Sequence, residues 1–214
     1  GADFGVAFDG DADRAAFLDD RGELIAADLL TALLAPVFLK REKGGTVIYD
    51  VRSSRVVREE VERAGGRAIM SRVGHSYMKT LLRREKGVFG GELAGHFYFR
   101  DNAYADSGDI TLMLVMKALS ESGKPLSSLI APLRRFHASG EINFHVEDKD
   151  GKIEELARLY ADGEINRIDG IRVDFPDWWF NVRKSNTEPL LRLVLEADSR
   201  EKMERMRDKL AKEI

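Results

Sequence analysis

Asp9, Asp11 and Asp13 stand at alternate positions in the run Phe8-Asp9-Gly10-Asp11-Ala12-Asp13-Arg14. Carboxylates at i, i+2 and i+4 share one side of an extended segment and converge where that segment turns. Crowded without a counter-ion they repel, and a hard divalent cation reverses the sign of that energy. Magnesium takes oxygen ligands in a tight octahedron and completes its shell with phosphate or water. The loop therefore reads as a Mg²⁺ site with positions open for a phosphorylated partner. Two other readings compete at this stage: a solvated acidic turn, and an aspartate nucleophile of the phosphatase kind. An EF-hand does not fit, because it needs Gly at the sixth loop position, where Arg14 stands, and helices on both sides.

A second group lies near the other end. Arg183-Lys184-Ser185-Asn186-Thr187-Glu188-Pro189 places two cations, two hydroxyls and an amide in five residues. Such a loop can offer a bidentate guanidinium, hydroxyl donors and backbone N–H groups to one phosphate, and a phosphate clamp explains it better than an ordinary polar hairpin loop. Between the two groups, Gly91-Glu92-Leu93-Ala94-Gly95-His96 sets glycines around a carboxylate, with an imidazole four residues on. Glycine lets backbone approach a ligand closely, a carboxylate suits vicinal sugar hydroxyls, and histidine suits proton transfer near neutral pH. Gly74-His75-Ser76 opens a helix, where free N–H groups favour anions. Arg52 reads as a second anion contact or a surface cation. His137 and His145 have no such company and read as structural or exposed.

The elements that must carry these loops follow from periodicity. Val6-Ala7-Phe8 reads as the end of a buried strand and Ala15-Ala16-Phe17-Leu18 as another. Leu29, Leu30, Leu33, Leu34, Val37 and Phe38 keep helical spacing, with Asp28 placed to cap the helix or to lead its first turn and Pro36 placed to kink the run. Strands then alternate with helices: Thr46–Tyr49, a helix ending at Gly65-Gly66, Ala68–Met70, a helix from His75 to Arg84, Val88-Phe89 and Phe97–Phe99. The apolar run from Ser107 to Ser122 reads as a buried helix. This order predicts a layered α/β domain with mainly parallel strands over residues 23–135. Residues 136–214 read as a smaller α+β domain. It has alternating Ile142, Phe144 and Val146, a helix through Leu156, a two-residue hairpin turn at Asp169-Gly170, two strands around the 183–189 loop, and a final amphipathic helix.

Composition narrows the classes. A chain of 214 residues without Cys excludes disulfides, thiolate catalysis and zinc-thiolate sites, and suits a reducing cytoplasm. A net charge of −3 gives nucleic-acid binding no bulk electrostatic support, and no apolar run approaches a membrane span. No secretory leader is evident, and the opening Gly1-Ala2-Asp3-Phe4, without Met, reads as part of something longer.

Together these motifs resemble the α-D-phosphohexomutases, most closely the bacterial phosphomannomutase/phosphoglucomutase branch. The 9–14, 74–75, 91–96 and 183–189 segments occur in that family's order and rough spacing. The resemblance implies four domains in the whole protein, with residues 1–22 the tail of an incomplete second domain that carries the metal loop, followed by the third and fourth domains. It implies further that Asp9, Asp11 and Asp13 hold Mg²⁺ beside Arg14. Glu92 would read the sugar, while His96 and His75 line the reacting face. Arg183, Ser185, Asn186 and Thr187 would hold the distal phosphate of a mannose or glucose phosphate. In the family a phosphoserine donates its phosphoryl group to a hexose monophosphate, and the other phosphate of the resulting bisphosphate returns to the serine. Two departures stand out. Ala94 occupies the usual place of a Ser in the sugar loop, and no Thr-Ala-Ser-His-Asn-like loop is present to carry the phosphoserine. The chain is therefore expected to depend on missing N-terminal domains of the same protein and to be inactive alone.

Overall fold

The computed structural model describes residues 1–214, which divide into two compact units, Gly1–Arg134 and Arg135–Ile214. No helix is long and apolar enough to cross a membrane.

The first unit opens with three short antiparallel strands in spatial order β1-β2-β3: β1 (Gly5–Phe8), β2 (Ala15–Leu18) and β3 (Leu24–Ile25). β2 obeys a period of two, with Ala15 and Phe17 buried and Ala16 and Leu18 exposed. β1 corrects the expectation of a buried strand, since Ala7 and Phe8 are both exposed. Gly5 and Val6 are half-buried, and β1 is an edge strand that pairs only with β2. The pairing Phe8↔Ala15 closes the six-residue acidic loop, and Ala12 turns it with a φ of 59°.

Next come α1 (Ala27–Arg41), β4 (Thr46–Asp50), α2 (Arg55–Arg63), β5 (Arg67–Ser71), α3 (His75–Arg84), β6 (Phe89–Gly91), β7 (Phe97–Phe99), β8 (Ala105–Asp106), α4 (Gly108–Ser122) and α5 (Leu126–Ile130). The strands form one sheet in the order β5-β4-β6-β7-β8. β4 runs parallel to β5 and β6, while β7 and β8 extend the sheet antiparallel. Every residue of β4 is buried, as expected of a parallel strand covered on both faces. Pro36 lies inside α1 without ending it. α4 departs from the expected buried helix: Gly108, Thr111 and Val115 are buried, but Met113 and Met116 face outward at 67% and 45% exposure. Its apolar residues run almost continuously, so periodicity could not separate a helix buried all round from one buried along a single stripe.

The second unit contains β9 (His137–Ala138), β10 (Ile142–Phe144), α6 (Lys149–Leu159), β11 (Glu164–Asn166), β12 (Ile171–Asp174), β13 (Trp178–Lys184), β14 (Leu191–Ala197) and α7 (Arg200–Glu213). Its sheet is antiparallel in the order β10-β14-β13-β12-β11, with β9 also on β14. Alternate residues Ile171, Val173, Phe180, Val182, Leu193 and Leu195 pack with Ile153, Leu156, Met203 and Leu210 of α6 and α7 into one core. The intervening positions carry polar groups. Trp179 donates its indole N–H to Glu196 and supports the Arg172 guanidinium 3.7 Å from its ring centroid. The expected two-residue turn at Asp169-Gly170 is wider than that: residues 167–170 separate the two strands, and the last pair, Asn166 with Arg172, encloses 167–171. Asn166 stabilises it by accepting from Ile168 N–H at 2.9 Å. A Cβ on Gly170 would sit 2.7 Å from the Arg183 Cα and 2.1 Å from the Val182 carbonyl, so this turn lies directly against the backbone that presents Arg183.

Candidate functional site

The acidic loop is joined to the 91–96 loop by backbone. Arg14 and His96 form an antiparallel bridge, and Ala15 N–H donates to the Gly95 carbonyl at 3.2 Å. Gly95 has a φ of 94°, a conformation that favours glycine. Asp9, Asp11 and Asp13 each offer a carboxylate oxygen, all within 4.8 Å of one another. A hard, all-oxygen set of this kind fits Mg²⁺. Arg14 donates from its backbone N–H at 3.1 Å and from Nε at 2.7 Å to Asp9. That backbone bond above all holds the Asp9 carboxyl below its usual pKa.

Glu92 is the buried hub of the neighbouring loop, only 2% exposed. Its Oε2 accepts from Gly74 N–H at 3.1 Å and its Oε1 from the Tyr98 hydroxyl. Gly74 therefore spends its N–H on Glu92, and its φ of 130° suits no other residue well. Asp50, fully buried at the end of β4, accepts from Leu93 N–H at 2.9 Å and grips Arg52 through Nη2 at 2.7 Å. Arg52 is thus no surface cation: it is buried, and Asp50 ties it to the backbone of the 91–96 loop. His96 places Nδ1 2.9 Å from Asp106 Oδ2, and Lys79 Nζ lies 2.8 Å from the other oxygen of Asp106. His75 is exposed at the start of α3, beside Gly74.

Burial raises the Glu92 pKa, and the Asp50 charge adds to that, while the Tyr98 and Gly74 donors oppose it. Burial, then the Glu92 charge, pushes the Tyr98 phenol far upward, so it remains a donor. With its folded pKa above the ordinary value, Glu92 favours the fold most below that ordinary value, and this stability is lost as pH rises through the folded pKa. Tyr98→Phe removes a donor to the charged form and raises that pKa further. The loss, about 1–3 kcal/mol for a buried group stripped of its partner, is expected to be larger at pH 8 than at pH 5 in urea titrations. Equal losses at both pH values would show that the hydroxyl does not serve the carboxylate.

In the second unit, β13 and β14 present the 183–189 loop. Ser185 N–H donates to the Leu190 carbonyl at 2.9 Å, and the Ser185 hydroxyl oxygen accepts from Thr187 and Glu188 N–H at 3.4 and 3.2 Å. Its hydroxyl proton is then available to a ligand. Asn186 and Thr187 are exposed at the tip. Lys184 turns aside onto Asp150 at 2.8 Å. Arg183 is paired in register with Arg192, and Glu141 lies between them, 3.3 Å from Arg183 Nη2 and 2.9 Å from Arg192 Nη1.

Sequence reasoning missed Asp50, Lys79, Tyr98, Asp106 and Arg192. Only Arg192 left a usable signal, as the cation opposite Arg183 once the hairpin register is counted.

Both units of the chain match known proteins. Residues 26–136 match the family model for phosphoglucomutase/phosphomannomutase, alpha/beta/alpha domain III, and residues 141–213 match the model for its C-terminal domain. A phosphomannomutase of Methanocaldococcus jannaschii is 41% identical over 214 residues, covering 98% of this chain and 48% of its own length. Phosphohexose mutases of Xanthomonas campestris pv. campestris are 45% identical over 199 residues, covering 92% of this chain and 44% of theirs. The crystal structure of a phosphoglucomutase/phosphomannomutase family protein from Burkholderia thailandensis superposes with a TM-score of 0.89 at 33% identity, over 99% of this chain and 46% of that one. The chain spans about half the length of the curated relatives it matches.

Proposed function

Because the chain belongs to the phosphoglucomutase/phosphomannomutase family, we propose that it is the sugar- and phosphate-binding part of an enzyme that interconverts hexose 1-phosphates and 6-phosphates. The observation that carries this reading is the joining of the acidic loop to the 91–96 loop through Arg14 and His96. It sets a potential cation site beside a carboxylate and an imidazole suited to a sugar. Asp9, Asp11 and Asp13 hold Mg²⁺, which when bound supplies positive charge for a phosphoryl group in transfer. Arg14 keeps Asp9 oriented. Glu92, fixed by Tyr98 and Gly74, faces the sugar hydroxyls, and His96 and His75 line the reacting side with Arg52 behind the loop. Arg183, Ser185, Asn186 and Thr187 take the phosphate that is not transferred, with Arg192 beside them. The phosphoserine comes from a part of the enzyme outside these 214 residues, which contain no serine loop suited to it. The preferred sugars are mannose and glucose phosphates, and the enzyme works in the cytoplasm.

The 214-residue chain alone is expected to bind glucose 6-phosphate in calorimetry without turning it over, and Arg183→Ala to weaken binding at least tenfold. Binding unchanged by Arg183→Ala overturns the clamp. Mutase turnover by the chain alone overturns the external phosphoserine. Hydrolysis of a simple phosphoester that vanishes on Asp9→Asn would mark the chain as a phosphatase instead.

A further inference from the structure

His96 sits between two carboxylates and against one aromatic face. Nδ1 is 2.9 Å from Asp106 Oδ2 and 3.7 Å from Asp13 Oδ1. The Tyr98 ring stacks beside the imidazole with centroids 6.2 Å apart and an interplanar angle of 25°, and Lys79 Nζ lies 5.9 Å from the Tyr98 centroid. Three elements fix the group: Lys79 projects from α3, Asp106 from β8, and His96 leads into β7. The pairing Tyr98↔Asp106 locks β8 to β7.

Asp13, His96 and Asp106 are close enough to share an ion. Lys79 argues against that use, because its ammonium already neutralises Asp106, and a second cation on the same carboxylate would be repelled. The nearer function is orientation. An ionised carboxylate can only accept, so the short contact requires a proton on Nδ1. Burial is the largest single influence on the Asp106 carboxyl and pushes it up, but the Lys79 hydrogen bond, a backbone hydrogen bond and the neighbouring positive charge together hold the pKa below the ordinary value. The hydrogen bond at one ring nitrogen decides what the other can do.

We propose that Asp106, itself anchored by Lys79, is a positioning residue for His96: it holds the Nδ1 proton and the ring plane, so that Nε2 is the nitrogen His96 presents to the sugar phosphate. This holds whatever the charge on the ring. The kinetic part rests on the mutase reading above; the spectroscopic part does not.

The test uses ¹⁵N-histidine labelling of the 214-residue chain, with the four histidines assigned by substitution and proton positions read from two-bond ¹H–¹⁵N correlations. Wild-type His96 is expected to carry its proton on Nδ1, and Asp106→Asn to move it to Nε2 or to mix the tautomers. A bare Nδ1 in the wild type overturns the proposal, and that reading needs no variant, so it decides the matter even if Asp106→Asn does not fold. An unchanged His96 pattern in folded Asp106→Asn overturns it equally. In the complete enzyme, Asp106→Asn is expected to lower kcat about 10- to 100-fold, by analogy with the loss when the carboxylate partner of a metal-bound histidine is removed, with KM little changed and partial recovery in Asp106→Glu. A change in KM alone overturns the assignment. If the complete enzyme shows no mutase turnover while the Nδ1 proton is found as expected, the mutase reading fails and the orientation of His96 by Asp106 stands.

Discussion

Gly91→Ala is expected to destabilise the first unit by about 3 kcal/mol, the upper end of what overpacking usually costs. The added Cβ would lie 2.0 Å from Thr31 Oγ1, 2.9 Å from Thr31 Cγ2 and 3.0 Å from Thr31 Cβ. Rotating Thr31 offers no escape, because both of its γ atoms and the branch point are too close. Its hydroxyl is also committed to the Ala27 carbonyl at 3.0 Å inside α1. Nor can Gly91 withdraw, since β6 is paired with β4 on one side and β7 on the other. Strain at this position passes directly to Glu92, the next residue. Urea unfolding of the single and double variants checks it. Thr31→Ala is expected to rescue Gly91→Ala in part, with a coupling energy of about 1 kcal/mol or more. A Gly91→Ala midpoint equal to wild type would remove this account of why α1 and β6 require glycine there.

Asp11→Asn is expected to change sign with the metal. In EDTA, removing one of three crowded carboxylates relieves repulsion, and the variant melts at or above wild type. With Mg²⁺ in excess, wild type gains linkage stability, about 2.7 kcal/mol at a hundredfold excess over Kd, and the variant forfeits most of it. The two melting curves therefore cross between the conditions. Thermal unfolding in EDTA and in millimolar Mg²⁺ reads this directly. A variant that loses to wild type equally in both media would show that Asp11 shapes the loop and holds no ion. Arg14 adds asymmetry to the set: it engages Asp9 through two hydrogen bonds, so Asp9→Asn also disrupts the turn, and Asp11 is the cleaner probe.

The loops were legible because each writes its chemistry in consecutive residues. The 9–14, 91–96 and 183–189 segments show their donors and acceptors without any knowledge of pairing. What joins them is long-range. Asp50 reaches Leu93 across 43 positions and Glu92 reaches Gly74 across 18; no local pattern encodes either bond. Tyr98 in an aromatic run looked like β-strand filling, and only the sheet order turns its hydroxyl toward Glu92. Arg52 by type suits the surface equally well, and only the burial of its partner Asp50, two residues before it, takes it inside. The fold class followed from the alternation of strand and helix runs. The misreadings at β1, α4 and residues 167–170 have two causes. Apolar content alone does not say how many neighbours an element has, and a favourable dipeptide does not set loop length.

Glu141 gives the second unit a property of its own. Its carboxylate joins Arg183 to Arg192, so the basic loop already contains an internal competitor. An anion arriving there exchanges with a tethered rival and does not simply land on bare positive charge. By Coulomb's law a doubly charged anion would gain more from displacing that carboxylate than a singly charged one would.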